Sequence, residues 1–205
     1  IFQIFDHYLY LKCFKAWNSS IRLDSFRTKI PLKKKIGKTF ILTNGFFNNF
    51  DETEKYNVHS NSICFVGTLS ENQKILALID CVKKLRKTKK DLKLDIIGMG
   101  PLYKKLEDKI YQENTSDYII LHGFVDDLKL LRSLISKSVL CYCVYNKNDN
   151  DNSNIASTGK LSLYTSIRRP TILSEHLVLT RYYRRFNCGL ITNSETDDIY
   201  DKIKL

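Results

Sequence analysis

The chain has 205 residues, a formal net charge of +11, and 43% hydrophobic and 12% aromatic residues. That length holds one large domain, or one domain plus part of another, and the composition is that of a globular fold rather than a disordered or fibrous one. No apolar run approaches the roughly 20 residues of a spanning helix, so a soluble or peripheral protein is expected.

The chain begins at Ile1, and Ile1 to Trp17 has neither the basic start nor the small-residue cleavage site of a secretory signal, so it reads as a piece of something longer. The aromatic opening IFQIFDHYLYLKCFKAW fits a segment on a membrane surface or one packed against a partner domain or the sheet; packing is the expectation. Two helical segments separated by Asn18, Ser19 and Ser20, then the basic KIPLKKKIGK, read as the end of a preceding domain and a linker over residues 1–37.

From about residue 38 short β-branched runs alternate with helical patterns, the signature of an α/β, doubly wound parallel sheet covered by helices on both faces. The predicted strands are Thr39 to Thr43, Ser62 to Val66, Leu92 to Ile97, Tyr118 to Leu121, Val139 to Tyr145, Thr171 to Leu173 and Gly189 to Thr192. Lys74 to Lys87, Leu102 to Gln112 and Asp127 to Ser136 carry apolar residues at helical spacing. Asn146 to Gly159, NKNDNDNSNIASTG, is a polar loop leaving a strand's carboxyl end, where such sheets bind ligands.

Three strand-to-helix junctions carry glycine: Gly67 in FVGTLS, Gly98 and Gly100 in GMGP, and Gly123 in LHGFV. GMGP is no dinucleotide fingerprint, and Pro101 is a good helix start, so a structural turn is expected there. GKLSLYTSIRRPTILSE, Gly159 to Glu175, places Lys160 on the first turn of a short helix that Pro170 ends before a buried strand. A cation beside the positive end of a helix suits a phosphate group; an exposed lysine on an amphipathic helix is the plainer reading.

The six cysteines lack CxxC pairs and zinc-finger histidines, and read as small core residues of a reducing, cytoplasmic protein. Cys141 and Cys143, two apart in a strand, share one face. Asp149 and Asp151 sit in the asparagine-rich loop rather than as a carboxylate pair at a strand end, so metal-independent chemistry is expected. The lysines lie on helix ends and exposed helical faces, and no RNA-binding aromatic signature accompanies them; attraction to an anionic membrane leaflet explains the charge as well as nucleic acid does.

Taken together, FVGTLS, IIGMGP with LYKKLE, ILHGFV with DDLKLLRSL, KLSLY, RRPTILSE and CGLI resemble, in order and spacing, the C-terminal nucleotide-sugar-binding domain of GT-B fold glycosyltransferases of the group 1, family 4-like kind. The resemblance covers roughly Phe40 to Leu205; ILTNGFF at 41–47 resembles the family's hinge, which makes residues 1–37 the end of the acceptor-binding domain and 38–205 the donor-binding domain. KLSLY is most similar to the galactofuranosyltransferase and glucosyltransferase branch, in which the motif's lysine contacts the donor diphosphate. By that resemblance Lys160 takes the catalytic charge-stabilising role, with Tyr164 of the same motif also at the donor. Gly67 and Thr68 face the donor cleft, Phe124 and Val125 lie where the nucleobase docks, and Glu175 and His176 lie where backbone donors hold phosphate oxygens.

The sequence departs from the family at Leu163, where many members carry the glutamate that grips the donor ribose; leucine cannot accept those hydrogen bonds. Thr68 replaces a common basic residue, and Gln73 and Lys74 replace a lysine-glycine pair. The implied partners are a nucleotide sugar, a UDP-sugar foremost, a glycan or lipid-linked acceptor of surface polysaccharide synthesis, and an anionic membrane surface on the inner face, with no specific nucleic acid and no cofactor. Transfer by this chain alone is not expected, since the acceptor site falls in the preceding domain. Two other classes remain open: a noncatalytic glycosyltransferase-like interaction subunit, and a basic nucleic-acid or membrane-binding module.

Overall fold

The computed structural model describes residues 19–23, 38–42, 61–147, 159–177 and 179–204. The expected helical segment before Asn18, residues 43–47 of the expected hinge at 41–47 and most of the loop at 146–159 lie outside these residues. Strands β1 (Ser19–Leu23) and β2 (Lys38–Leu42) pair in parallel, Ser19 opposite Lys38 and Leu23 opposite Leu42. The break expected at Asn18–Ser20 and the helical segment expected after it are corrected: Ser19–Leu23 is a strand, whose ladder bonding to KTFIL satisfies the backbone in place of serine turn chemistry and helix bonding. β2, grouped by its pattern with the later strands, belongs to this separate two-stranded sheet.

The main sheet contains β3 (Ser62–Val66), β4 (Lys93–Ile97), β5 (Ile119–Gly123), β6 (Leu140–Cys143), β7 (Thr171–Ser174) and β8 (Gly189–Thr192). Its order is β5-β4-β3-β6-β7-β8, and every pairing is parallel. The expected α/β, Rossmann-like doubly wound sheet is thus present. The chain builds outward from β3 to β5, then returns to place β6 on the other side of β3. Between β3 and β6 the connections diverge, which opens a crevice at their carboxyl ends.

The connecting helices are α1 (Ile75–Arg86), α2 (Tyr103–Gln112), α3 (Leu128–Lys137), α4 (Gly159–Ser166), α5 (Thr180–Phe186) and α6 (Thr196–Lys204). Asp127 caps α3, its carboxylate accepting from the Lys129 and Leu130 amides. Sequence periodicity missed α6, nine residues with few apolar positions. Asp197 and Asp198 in its first turn and Lys202 and Lys204 in its last complement the helix dipole.

Because strand side chains alternate faces, the sheet builds two cores. Ile63, Phe65, Tyr142 and Val144 pack with α1, α2 and α6 residues such as Leu78, Leu106 and Ile199. Cys64, Cys141, Cys143 and Tyr145 point the other way, packing with Ile135 of α3, Leu161 and Tyr164 of α4 and Tyr183 of α5. The expected shared face of Cys141 and Cys143 is observed, and burial pushes the Cys64 and Cys141 thiols well above the usual thiol range, so they act as small apolar packers.

Candidate functional site

The turn after β3 sets the geometry of the crevice. Its Gly67 amide donates to Ile97 O at 3.0 Å and the Leu69 amide to Met99 O at 3.0 Å, so it lies against the GMGP turn of β4. From there Glu71–Gln73 form one 3-10 turn, and Lys74 follows in the left-handed conformation at φ 50°. This left-handed residue stands where the resemblance has glycine.

Three hydrogen bonds tie that turn to β6 and the chain leaving it. Asn146 donates from its amide to Asn72 O at 2.8 Å and from Nδ2 to Glu71 O at 3.1 Å, and the Tyr142 hydroxyl donates to Lys74 O at 3.1 Å. The two sides of the switch point are thereby held in one register. At the end of β7, Ser174 accepts from the Tyr145 amide at 2.8 Å and donates to Tyr145 O at 3.2 Å, which fixes Tyr145.

Lys160, in the first turn of α4, reaches into this frame. Its ammonium donates to Gln73 Oε1, lies 4.5 Å from the Phe65 ring centroid and 4.7 Å from that of Tyr145, and would stand 3.4 Å from a Cβ at Gly67. Burial among these groups lowers its pKa from the ordinary lysine value to about 8, with no described carboxylate offsetting the desolvation. A desolvated ammonium can hold an anion, and the two ring faces favour its charged form. The absent side chain at Gly67 leaves the ammonium its space.

The other predicted residues are distributed around this centre. Thr68 is exposed beside Gly67. Phe124, 75% exposed, follows β5, and Val125 packs on the second core. Tyr164 is fully buried: its hydroxyl accepts the Val66 amide at 2.8 Å and donates to Tyr142 O at 3.3 Å, so it ties α4 to β3 and β6 rather than presenting a free hydroxyl to the crevice. Glu175 follows β7, exposed, with its amide donating to Thr192 O at 2.8 Å, and the Leu177 amide donates to Ser174 O at 3.2 Å. His176 lies between them, half-buried. Leu163 is packed in the second core. Asp149 and Asp151 lie outside the described residues.

Sequence reasoning noted Gln73 only as a departure and passed over Phe65 and Tyr145. A single glutamine at a strand-helix turn carries no local signal, since its partner is 87 residues away. Tyr164→Phe is expected to cost about 1–3 kcal/mol of stability, because it leaves Val66 N–H and Tyr142 C=O without their shared partner; urea denaturation reads the loss.

A six-stranded doubly wound parallel sheet with Lys160 at its switch point is the α/β fold seen in GT-B glycosyltransferases. Residues 47–148 match the family model described as Glycosyl transferases group 1. No curated protein matches the chain in sequence. Among solved structures the chain is similar to a TarM mutant from S. aureus in complex with Fondaparinux, alpha-GlcNAc-glycerol and UDP, at 16% identity, covering 93% of this chain and 37% of that one, with a TM-score of 0.66. It is also similar to the pneumococcal O-GlcNAc transferase GtfA in complex with UDP and GlcNAc, at 16% identity, 96% and 38% coverage and a TM-score of 0.65. A C-terminal domain of a glycosyl transferase group 1 family protein (LpcC) from Francisella tularensis aligns at 17% identity, with 69% and 72% coverage and a TM-score of 0.54. The chain thus spans well under half the length of TarM and GtfA.

Proposed function

We propose that this chain is the nucleotide-sugar-binding half of a glycosyltransferase, with a UDP-sugar as donor and a glycan or lipid-linked acceptor received by a second, preceding domain. The observation that carries this reading is the desolvated Lys160 ammonium held at the switch point of the sheet, between Gly67, Gln73, Phe65 and Tyr145. The group 1 match and the UDP in the titled complexes of TarM and GtfA support the nucleotide class.

Glycosyl transfer builds negative charge on the departing diphosphate while the sugar becomes oxocarbenium-like. A fixed ammonium stabilises that charge more than it stabilises the intact donor, which is what lowers a barrier. Beside it, the first-turn amides of α4 present the positive end of the helix dipole. In this proposal these groups carry the charge without a metal, so uridine diphosphate binding is unchanged by a chelator. The buried Leu163 leaves the ribose to be held by other groups.

A calorimetric panel of uridine, guanosine and adenosine diphosphates tests the reading. Saturable binding of one of them, with a rise in melting temperature, is expected, since a ligand that binds only the folded state stabilises it. Absence of binding by all three contradicts it and favours the interaction-subunit class. Binding also has a pH signature. Lys160 is protonated below about 8, and an anion beside it raises its pKa, so at pH 8 binding should take up as much as roughly half a proton. Affinity holds steady from pH 7 toward 8 and falls above it; titrations in buffers of different ionisation enthalpy read both.

The acceptor side of the proposal includes a membrane surface. On α5, Arg181, Arg184 and Arg185 are exposed with Tyr182 and Phe186, a mixture suited to anionic lipid headgroups. No helix among the described residues is long and apolar enough to cross a membrane. Co-sedimentation with anionic but not zwitterionic vesicles, lost on changing the three arginines to glutamate, is the expected result; equal sedimentation of that variant contradicts this part.

A further inference from the structure

We propose that Gln73 is a positioning residue, which aims the Lys160 ammonium into the crevice and leaves its positive charge available to an anionic ligand. The inference rests on the proposed diphosphate role of Lys160 and adds a residue to which no part of that reading assigns a function. Gln73 is buried at 9% exposure, and its side-chain oxygen accepts from Lys160 across 87 residues of sequence.

The glutamine is held where it is. Its amide donates to Ser70 O at 3.0 Å, and the turn it ends is fixed by Asn146 on Glu71 O and Asn72 O and by Tyr142 on Lys74 O. With its backbone fixed and its side chain buried, the glutamine offers its oxygen from one place, and the hydrogen bond to it selects one orientation of the long, flexible lysine stem. An ammonium has three donors and Gln73 uses one. The ammonium nitrogen lies 3.4 Å from where a Cβ at Gly67 would stand, and no side chain fills that place.

Residue type at this position decides the charge of the site. A lysine at 73 would repel the Lys160 ammonium, and a glutamate would neutralise it and compete with a phosphate group. A neutral acceptor orients the cation and does neither. Facing the ammonium are the Phe65 ring of β3, the Cys143 thiol at the end of β6 and the Tyr145 ring in the chain leaving it, and among the described residues no carboxylate offsets its desolvation.

The test is uridine diphosphate binding by the whole chain between pH 7 and 9.5, where the ligand's own phosphate is largely ionised, with Gln73→Glu, Gln73→Leu and Lys160→Met. Gln73→Glu should weaken binding about 10-fold at pH 7 and move the alkaline fall in affinity up by a unit or more, since a carboxylate stabilises the ammonium. Gln73→Leu should weaken binding roughly 3- to 10-fold and move that fall to lower pH, since the ammonium loses its only hydrogen-bond acceptor among the described residues. Two shifts of opposite sign with losses of the same sign are not produced by general loosening of the turn. If both variants keep the wild-type pH profile while Lys160→Met loses binding, the positioning role is overturned and the diphosphate reading stands. If Lys160→Met binds as the wild type does, the reading beneath it falls. Gln73→Glu is nearly isosteric, so it remains informative if the leucine variant does not fold.

Discussion

Substituting Lys160 by methionine is expected to weaken uridine diphosphate binding by roughly 10- to 100-fold, the value of a charge-assisted hydrogen bond, while stabilising the unliganded fold. In a chain that joins this domain to an acceptor-binding domain, transfer should fall by about 100-fold or more, as when one donor to a developing charge is removed. Both effects have the same origin. The ammonium sits among Phe65, Tyr145 and Gln73 with its pKa lowered to about 8, so the folded state disfavours its charge. The sign follows directly: between about 8 and the ordinary lysine value the unfolded chain binds more protons than the folded one, and stability rises with pH across that window. Below pH 8 the penalty is fully present, and methionine, similar in length and uncharged, removes it. With Lys160 half-buried as a residue, the gain at pH 7 is set at roughly 1–2 kcal/mol, and it should vanish by about pH 10.5. Stability given up at a binding residue is the usual exchange at functional sites. Denaturation at pH 7 and pH 10, together with calorimetry, measures both halves; a methionine variant that is less stable and binds normally would contradict the assignment.

Gly98→Ala is expected to be the most damaging single substitution in the structured sheet, costing about 3–5 kcal/mol or preventing folding. Its backbone has φ +136°, a conformation that residues with a side chain rarely adopt, and a Cβ there would lie 2.0 Å from the Gly67 carbonyl oxygen. The neighbouring atom is backbone, so relief requires moving the turn after β3. That turn carries Gly67 and Gln73, and any variant that does fold should bind nucleotide more weakly even though Gly98 touches no ligand in the proposal. The bond from the Gly98 amide to Gly123 O, at 2.7 Å, extends the strain to β5. Chemical denaturation of the alanine variant against wild type, with Gly159→Ala as a control where a Cβ would meet nothing within 4 Å, gives the comparison.

The sheet was legible because its strands are buried on both faces and read as continuous apolar runs, FVG and LCYC among them, while α1 and α2 keep a helical period. Two signals misled. Ser19 and Ser20 look like a break, yet they open β1, since long-range pairing with β2 outweighs the local preference of serine. α6 is too polar for periodicity to reveal, and its place comes from capping charges and from packing against α1 and β8. For the site, Lys160 stood out by its place after a polar loop, and its ammonium lies beside Gly67, Gln73, Phe65 and Tyr145. Tyr164 lay in the same motif, but its hydroxyl is committed to Val66 and Tyr142, which no sequence spacing could disclose. Gln73 was visible as an oddity and explicable only once the turn folded it against a lysine from another helix.

The central claim is that Lys160 meets the phosphates of a nucleotide donor, and the most direct measurement is calorimetric titration of the wild-type chain and Lys160→Met with uridine diphosphate and with uridine at pH 7. Wild type should bind the diphosphate at least about 10-fold more tightly than the nucleoside, and in the methionine variant that difference should nearly disappear while uridine binding is retained. An unchanged preference for the diphosphate in the variant would show that its phosphates are held elsewhere, and the assignment of Lys160 would be wrong.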